Sequence, residues 1–177
     1  MGLRSPQSLG ITLTHEHLSL DFQPFYNAPP EHLKSYFDDR EKIKLGNVGM
    51  IKQYPYGSRF NITFNDEVSL TRILEDVALF KKWGGGSIVE NSSHGLQRDL
   101  GYYCELAEKT GVNIIAGTGH YIGSCQSASA LSLSLEQLSD LYSKEIVTGV
   151  DLKGDGKTIV KCGVIGEVGS NWPLNGS

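Results

Sequence analysis

Long apolar runs are missing from this sequence. No stretch approaches the about 18 consecutive apolar residues that cross a bilayer as a helix, so a membrane-spanning role is not expected. Cysteine is scarce as well. Cys104, Cys125 and Cys162 are odd in number and lack the paired spacing of a zinc ribbon or a disulfide framework. They read as reduced thiols in a cytosolic protein, and the sequons at Asn61 and Asn91 are then expected to stay unmodified. There is no basic stripe: 16 Lys and Arg face 20 Asp and Glu, for a net charge of -4, which argues against a nucleic-acid partner. The opening MGLRSPQSLG has no apolar segment of a secretory signal, and Pro6 stands where a myristoylation signal has Ser or Thr.

What is present is the composition of one globular α/β domain. Hydrophobic residues make up 39% of 177 residues, enough for a core of ordinary size. GITLTHEHL, residues 10–18, alternates and is rich in β-branched residues, and it reads as a strand. Four of the six prolines then crowd into residues 23–64, a long irregular excursion with helical turns expected around His32 to Ile43. Regular structure resumes with Asn65 as the expected cap of a helix. Apolar residues from Val68 to Trp83 follow at helical spacing, which places Phe80 and Trp83 in the core. Gly84 is the expected stop. The glycines 84–86 come after a helix and before a strand, the wrong order for a phosphate loop.

The later elements alternate. SIVEN (87–91) reads as a buried strand, 98–110 as a helix closed by Gly111, and VNIIAG (112–117) as a strand. Ser134 and Gln137 form a capping box for a helix over 135–148, GVDLKGDGKT (149–158) is a polar loop, and KCGVIGEV (161–168) is the last strand, with no helix in the terminal WPLNGS. Apolar strands alternating with amphipathic helices predict a parallel sheet with helices outside. Both a Rossmann-type sheet and a (β/α)8 barrel fit. The first strand is followed by no GxGxxG, which lowers the Rossmann option. Four strands and three helices are half of a barrel, which takes about 250 residues when complete.

The chemistry sits in THEH. Side chains alternate faces along a strand, so His15 and His17 point one way and Glu16 the other. Two imidazoles at that spacing can share a metal ion, and equally can be two half-buried core histidines. Their position at the end of the first strand is where βα-barrels keep functional groups. Glu167 in GVIGEVG ends the fourth strand. A carboxylate there is costly unless it is bound to a metal, paired in a salt bridge or used as a cap. His94 and His120 come just after the second and third strands, Asn91 and Tyr121 end strands, and all four are candidates to line a substrate pocket, although loop histidines more often make structural hydrogen bonds. His32 in the excursion is expected at the surface.

GITLTHEHL, GGGSIVENSS, GLQRDL, TGVNIIAGTGHY and IVKCGVIGEVGSNWPL together resemble the phosphotriesterase-related proteins of the amidohydrolase superfamily, from about Leu9 to Pro173. The resemblance implies a (β/α)8 TIM-barrel type fold, here about the first four strands and three helices, so that residues 1–177 correspond to the N-terminal half of a metal-dependent hydrolase barrel. It implies that His15 and His17 bind the more buried of two divalent metals, usually zinc, and that Glu167 bridges them. Bacterial relatives use a carbamylated lysine for that bridge, and Lys161 lies six residues too early to match it.

The family's other ligands are two histidines after the fifth and sixth strands and an aspartate after the eighth. None has a counterpart in these 177 residues, so no catalytic residue is assigned within this chain. The implied chemistry is metal-assisted hydrolysis of a small molecule, the amide of N-acetyltaurine in the branch most resembled, with phosphotriester or lactone hydrolysis as the relatives' alternative. A non-catalytic product that self-associates through an open half-barrel is the contrasting expectation. A binding module built on the aromatic excursion is a third, without a motif of its own.

Overall fold

The computed structural model describes residues 4–36 and 38–173. The readings made on MGL at the start and on LNGS at the end lie outside the described residues. In chain order the strands are β1 (Ile11–Glu16), β2 (Leu20–Asp21), β3 (Thr63–Phe64), β4 (Gly85–Glu90), β5 (Asn113–Thr118), β6 (Val150–Asp151), β7 (Ile159–Val160) and β8 (Val164–Ile165). The helices are α1 (Val48–Gln53), α2 (Glu67–Lys82), α3 (Leu100–Thr110), α4 (Ala128–Leu131) and α5 (Leu135–Val147).

One four-stranded sheet organises the molecule, in the order β1-β4-β5-β8 with every pairing parallel. Parallel neighbours require crossovers, and α2, α3 and α5 supply them. The sheet curls as half of a (β/α)8 barrel. Ile88 and Ala116 from the strands meet Val77 of α2 and Leu100, Tyr103 and Leu106 of α3 in the main core. Each fully buried side chain of this kind contributes about 1.5–3 kcal/mol. The other face of β1 is open: Ile11 is 63% exposed and Leu13 38%, and Ile165 and Val168 are exposed near β8. Among the described residues, no helix is long and apolar enough to cross a membrane.

Local chemistry sets the element ends. Asp66, not Asn65, caps α2, accepting from the backbone N–H groups of Val68 and Ser69. Asp99 caps α3, so Arg98 lies before the helix. Gly111 closes α3 with φ of 70°, the left-handed conformation that glycine adopts without strain. Ser134 and Gln137 form the expected capping box on α5. Trp83 corrects the helical-spacing argument: it is the C-cap of α2 and is 76% exposed, because the helix has ended before the apolar stripe can carry it inward.

The excursion is more ordered than its prolines suggest. A 3-10 helix covers Glu31–Tyr36, α1 forms further along than expected, and β2 and β3 close a small antiparallel pair. Arg59 ties the excursion together, pairing with Asp39 at 3.0 Å and lying 3.8 Å over the Tyr26 ring. His32 is exposed, as expected.

The last expected strand, 161–168, is shorter than expected, and a ribbon forms just before it. Residues Ile159–Val160 pair back on Val150–Asp151 as a ribbon, so the polar stretch 149–158 is a hairpin rather than a free loop. Only Val164–Ile165 join the main sheet. Asp151 closes the hairpin tip by accepting from Lys153, Gly154 and Gly156. Beyond β8 the chain stays close to its neighbours because Gly117 has no side chain. A Cβ there would lie 2.1 Å from the Gly166 carbonyl oxygen.

Candidate metal centre

Three polar side chains from opposite ends of the chain meet at the C-terminal end of the parallel sheet. Nε2 of His15 lies 3.4 Å, and Nε2 of His17 3.3 Å, from one carboxylate oxygen of Glu167. One ligand atom from each residue falls within 4.8 Å of the other two. His15 lies in β1 and His17 one residue beyond its end, and the two imidazoles contact edge to face with ring centroids 5.4 Å apart. Glu167 is fixed through its backbone. Its N–H donates to the Asn91 carbonyl at 2.7 Å, and its carbonyl accepts from the Ser93 hydroxyl at 2.5 Å.

The donor set fits a divalent ion. Two imidazole nitrogens and a carboxylate oxygen are zinc-type ligands, and tetrahedral ligands about 2.0–2.1 Å from an ion lie about 3.3 Å from one another. The two nitrogen–oxygen distances fall at that edge length and are longer than the about 2.7–3.2 Å of an ordinary N–H···O bond. Burial lowers the pKa of His17, while the Glu167 charge opposes the shift, so the imidazole is neutral and able to ligate at neutral pH. His15 is more open, with 58% of its side chain exposed.

One wall beside this cluster is aromatic. Tyr121 stacks against Phe22, and Phe25 completes the group, both phenylalanine rings lying 5.9 Å from it. Burial, then the neighbouring Glu167, raises the Tyr121 pKa. Phe25 comes from the excursion and Phe22 directly precedes it. Sequence reasoning missed them, although PFYNAPP did mark an aromatic, proline-rich stretch directly after the histidine strand.

The other pocket candidates are placed differently. Asn91 turns its amide onto the carbonyls of Val89 and Thr14 and offers its backbone carbonyl to Glu167. His94 and His120 stack at 4.7 Å, side by side because a parallel bridge continues the β4–β5 pairing into the loops. Both belong to a second polar cluster. His94 bonds Glu145 through Nε2 at 3.0 Å, and His120 Nδ1 lies 2.6 Å from the Tyr142 hydroxyl. Arg98 donates twice to Glu145, at 2.9 Å each, and Thr118 donates at 2.5 Å. Burial alone would raise the Glu145 pKa. The bonds from His94, Arg98 and Thr118 and the Arg98 charge outweigh it and hold the carboxyl well below its usual range.

Two buried carboxylates escaped the sequence reading. Glu145 falls on the inward stripe of α5 with Leu138, Leu141 and Tyr142, and a charge at a core position was the signal. Glu90 lies two residues beyond the core residue Ile88 on β4 and is fully buried. Burial pushes its pKa up to about 7, against the bonds it accepts from Ser92 and Leu18.

A family model for the phosphotriesterase family matches residues 1–177. The chain belongs to this family. It is 51% identical over 175 residues to the phosphotriesterase-related protein of Drosophila melanogaster, covering 99% of this chain and 49% of that protein. The phosphotriesterase-related protein of Aedes aegypti is 50% identical over 171 residues, or 96% of this chain and 48% of its own length. The chain thus spans about half the length of the curated family members it matches.

Among solved structures, a resiniferatoxin-binding protein from Rhodobacter sphaeroides superposes with a TM-score of 0.82 at 30% identity, covering 96% of this chain and 45% of that one. The phosphotriesterase homology protein of Escherichia coli, complexed with phosphate in its active site, gives a TM-score of 0.59 at 21% identity over 93% of this chain and 43% of that one. The second likeness shows the fold alone.

Proposed function

We propose that this chain supplies the His15–His17–Glu167 part of a divalent-metal centre, zinc by its donor set, in a hydrolase of amide or ester bonds. The observation that supports this reading is the convergence of the three ligand atoms within 4.8 Å at the C-terminal end of the sheet. When bound, a divalent ion supplies Lewis acidity and lowers the pKa of a nearby water toward neutrality. The chain's own residues do the rest: His15 and His17 offer neutral nitrogens, and Glu167 offers charge. Tyr121, Phe22 and Phe25 exclude water from one side. The favoured substrate is a small acylated amine, N-acetyltaurine by the resemblance, with phosphotriesters and lactones as the alternative. The three cysteines, all free thiols, support a cytosolic setting.

The second reading is a catalytically silent chain that pairs with another copy. The exposed Ile11, Leu13, Ile165 and Val168 favour it, since a solvent-facing sheet with this much apolar surface is an association surface. One experiment separates the two. The purified 177-residue chain is titrated with zinc, sedimented, and assayed with N-acetyltaurine, a phosphotriester and a lactone. Stoichiometric zinc with turnover of one substrate supports the hydrolase reading. Zinc binding without turnover, in a dimer, supports the silent one. Absence of zinc binding overturns the metal centre.

A further inference from the structure

Behind His17 lies a hydrogen-bonded chain that the metal ligands alone do not require. The Nδ1 of His17 is 3.0 Å from the Ser92 hydroxyl oxygen. That hydroxyl lies 2.6 Å from Oε1 of Glu90 and 3.0 Å from the Ser19 carbonyl oxygen. Glu90 is itself held rigidly, with Oε1 accepting from the Leu18 N–H and Oε2 from the Ser92 N–H, each at 3.1 Å. Ser92 and Glu90 are fully buried, and Tyr103 of α3 closes the pocket.

A proton count on Ser92 decides the rest. Its hydroxyl has one hydrogen and faces two oxygens that can only accept when Glu90 is ionised. Whichever of them takes the hydrogen, Ser92 has only a lone pair left for His17, so Nδ1 of His17 must carry the proton. The neutral imidazole then has its free lone pair on Nε2, the atom that faces Glu167. We propose that ionised Glu90, acting through Ser92, is a positioning residue that holds His17 in its Nδ1–H tautomer with Nε2 open to a metal ion. In this tautomer a nitrogen lone pair confronts a carboxylate oxygen at 3.3 Å, a repulsive contact that a cation between them relieves. Outer partners of this kind fix ring orientation and raise ligand basicity. His15, with its side chain mostly exposed, has no comparable support among the described contacts.

The inference rests on the metal reading for its purpose but not for its test. In the metal-free 177-residue chain at pH 8, with histidine nitrogens labelled, long-range proton–nitrogen correlation spectra report the His17 tautomer. The expected result is Nδ1–H, and an Nε2–H signal in the wild-type chain overturns the proposal whether or not zinc binds. Ser92→Ala should release the tautomer to a mixture and weaken zinc binding about 10–100-fold, with a smaller loss for Glu90→Gln. If Ser92→Ala is folded and leaves both tautomer and zinc affinity unchanged, the relay is wrong. If either variant fails to fold, the wild-type spectrum still decides. A wild-type chain that shows Nδ1–H but binds no zinc would sink the metal reading and leave the tautomer assignment standing.

Discussion

Two pairs of histidines sit near the same end of the sheet, and the carboxylates they meet are held differently. His15 and His17 reach from one strand toward Glu167, with their Nε2 atoms on the open side. His94 and His120 reach from two neighbouring loops, His94 committing Nε2 to Glu145 and His120 committing Nδ1 to Tyr142, as His17 commits Nδ1 to Ser92. Residue type and distance from the mouth do not tell them apart. The difference lies in the carboxylate. Glu145 is saturated by His94, by both guanidinium bonds of Arg98 and by Thr118. Glu167 is pinned by its backbone instead, so its side chain remains free to ligate. A satisfied carboxylate builds structure, whereas one anchored through its main chain can hold an ion.

The largest way to break this contrast is Glu145→Ala. It strands Arg98, whose side chain is 9% exposed, and should cost about 3–5 kcal/mol of stability in chemical denaturation while the zinc affinity of the folded chain stays unchanged. His17→Ala should do the reverse. Zinc affinity is expected to fall by more than about 100-fold, about 3 kcal/mol, with little loss of stability, whereas His94→Ala leaves zinc affinity intact. Similar zinc losses from His17→Ala and His94→Ala would erase the distinction.

Acidity sharpens the comparison for the buried carboxylates. Glu145 has a folded-state pKa below its ordinary 4.5, so its stabilisation is present above that value and is lost as pH falls below it. Glu90 has the opposite sign. With a folded value of about 7 against 4.5, its contribution is fully present below pH 4.5 and is lost as pH rises to about 7, by about 3 kcal/mol. The stability difference between the wild-type chain and Glu90→Gln, followed from pH 4 to 8, should carry that slope. A flat difference would show that the Glu90 pKa is not raised. Tyr142→Phe, which frees only His120, should cost about 1 kcal/mol by thermal melting. Trp83→Ala should change stability by no more than about 0.5 kcal/mol, since the ring is exposed.

Much of this architecture was readable from short-range rules. The capping box at Ser134 and the glycine stop at Gly111 are local, and each appears where its chemistry demands. The errors come from long-range competition. Trp83 fits the helical period but lies one residue past the helix end, and of the expected strand 161–168 only Val164–Ile165 pair in the sheet, while Val150–Asp151 of the expected polar loop pair with Ile159–Val160 in a ribbon. Local sequence could nominate His15, His17 and Glu167 but could not distinguish them from His94 and His120, because that difference rests on Glu145. The helical period places Glu145 on the inward stripe of α5, but nothing local shows that His94, Arg98 and Thr118 surround it there. Glu90 and Ser92 were hidden for the same reason, one inside and one just beyond a strand that reads only as buried.

The backbone tie of Glu167 to Asn91 and Ser93 also has a temporal meaning. The cluster joins the first strand to the last across the greatest sequence separation in the sheet, a closure that is entropically slow. His15 and His17 can be in place while the chain is still being made, but Glu167 cannot join them until β8 has docked on β5. Metal capture would therefore come late in assembly, and zinc uptake during refolding would serve as a clock for the final strand.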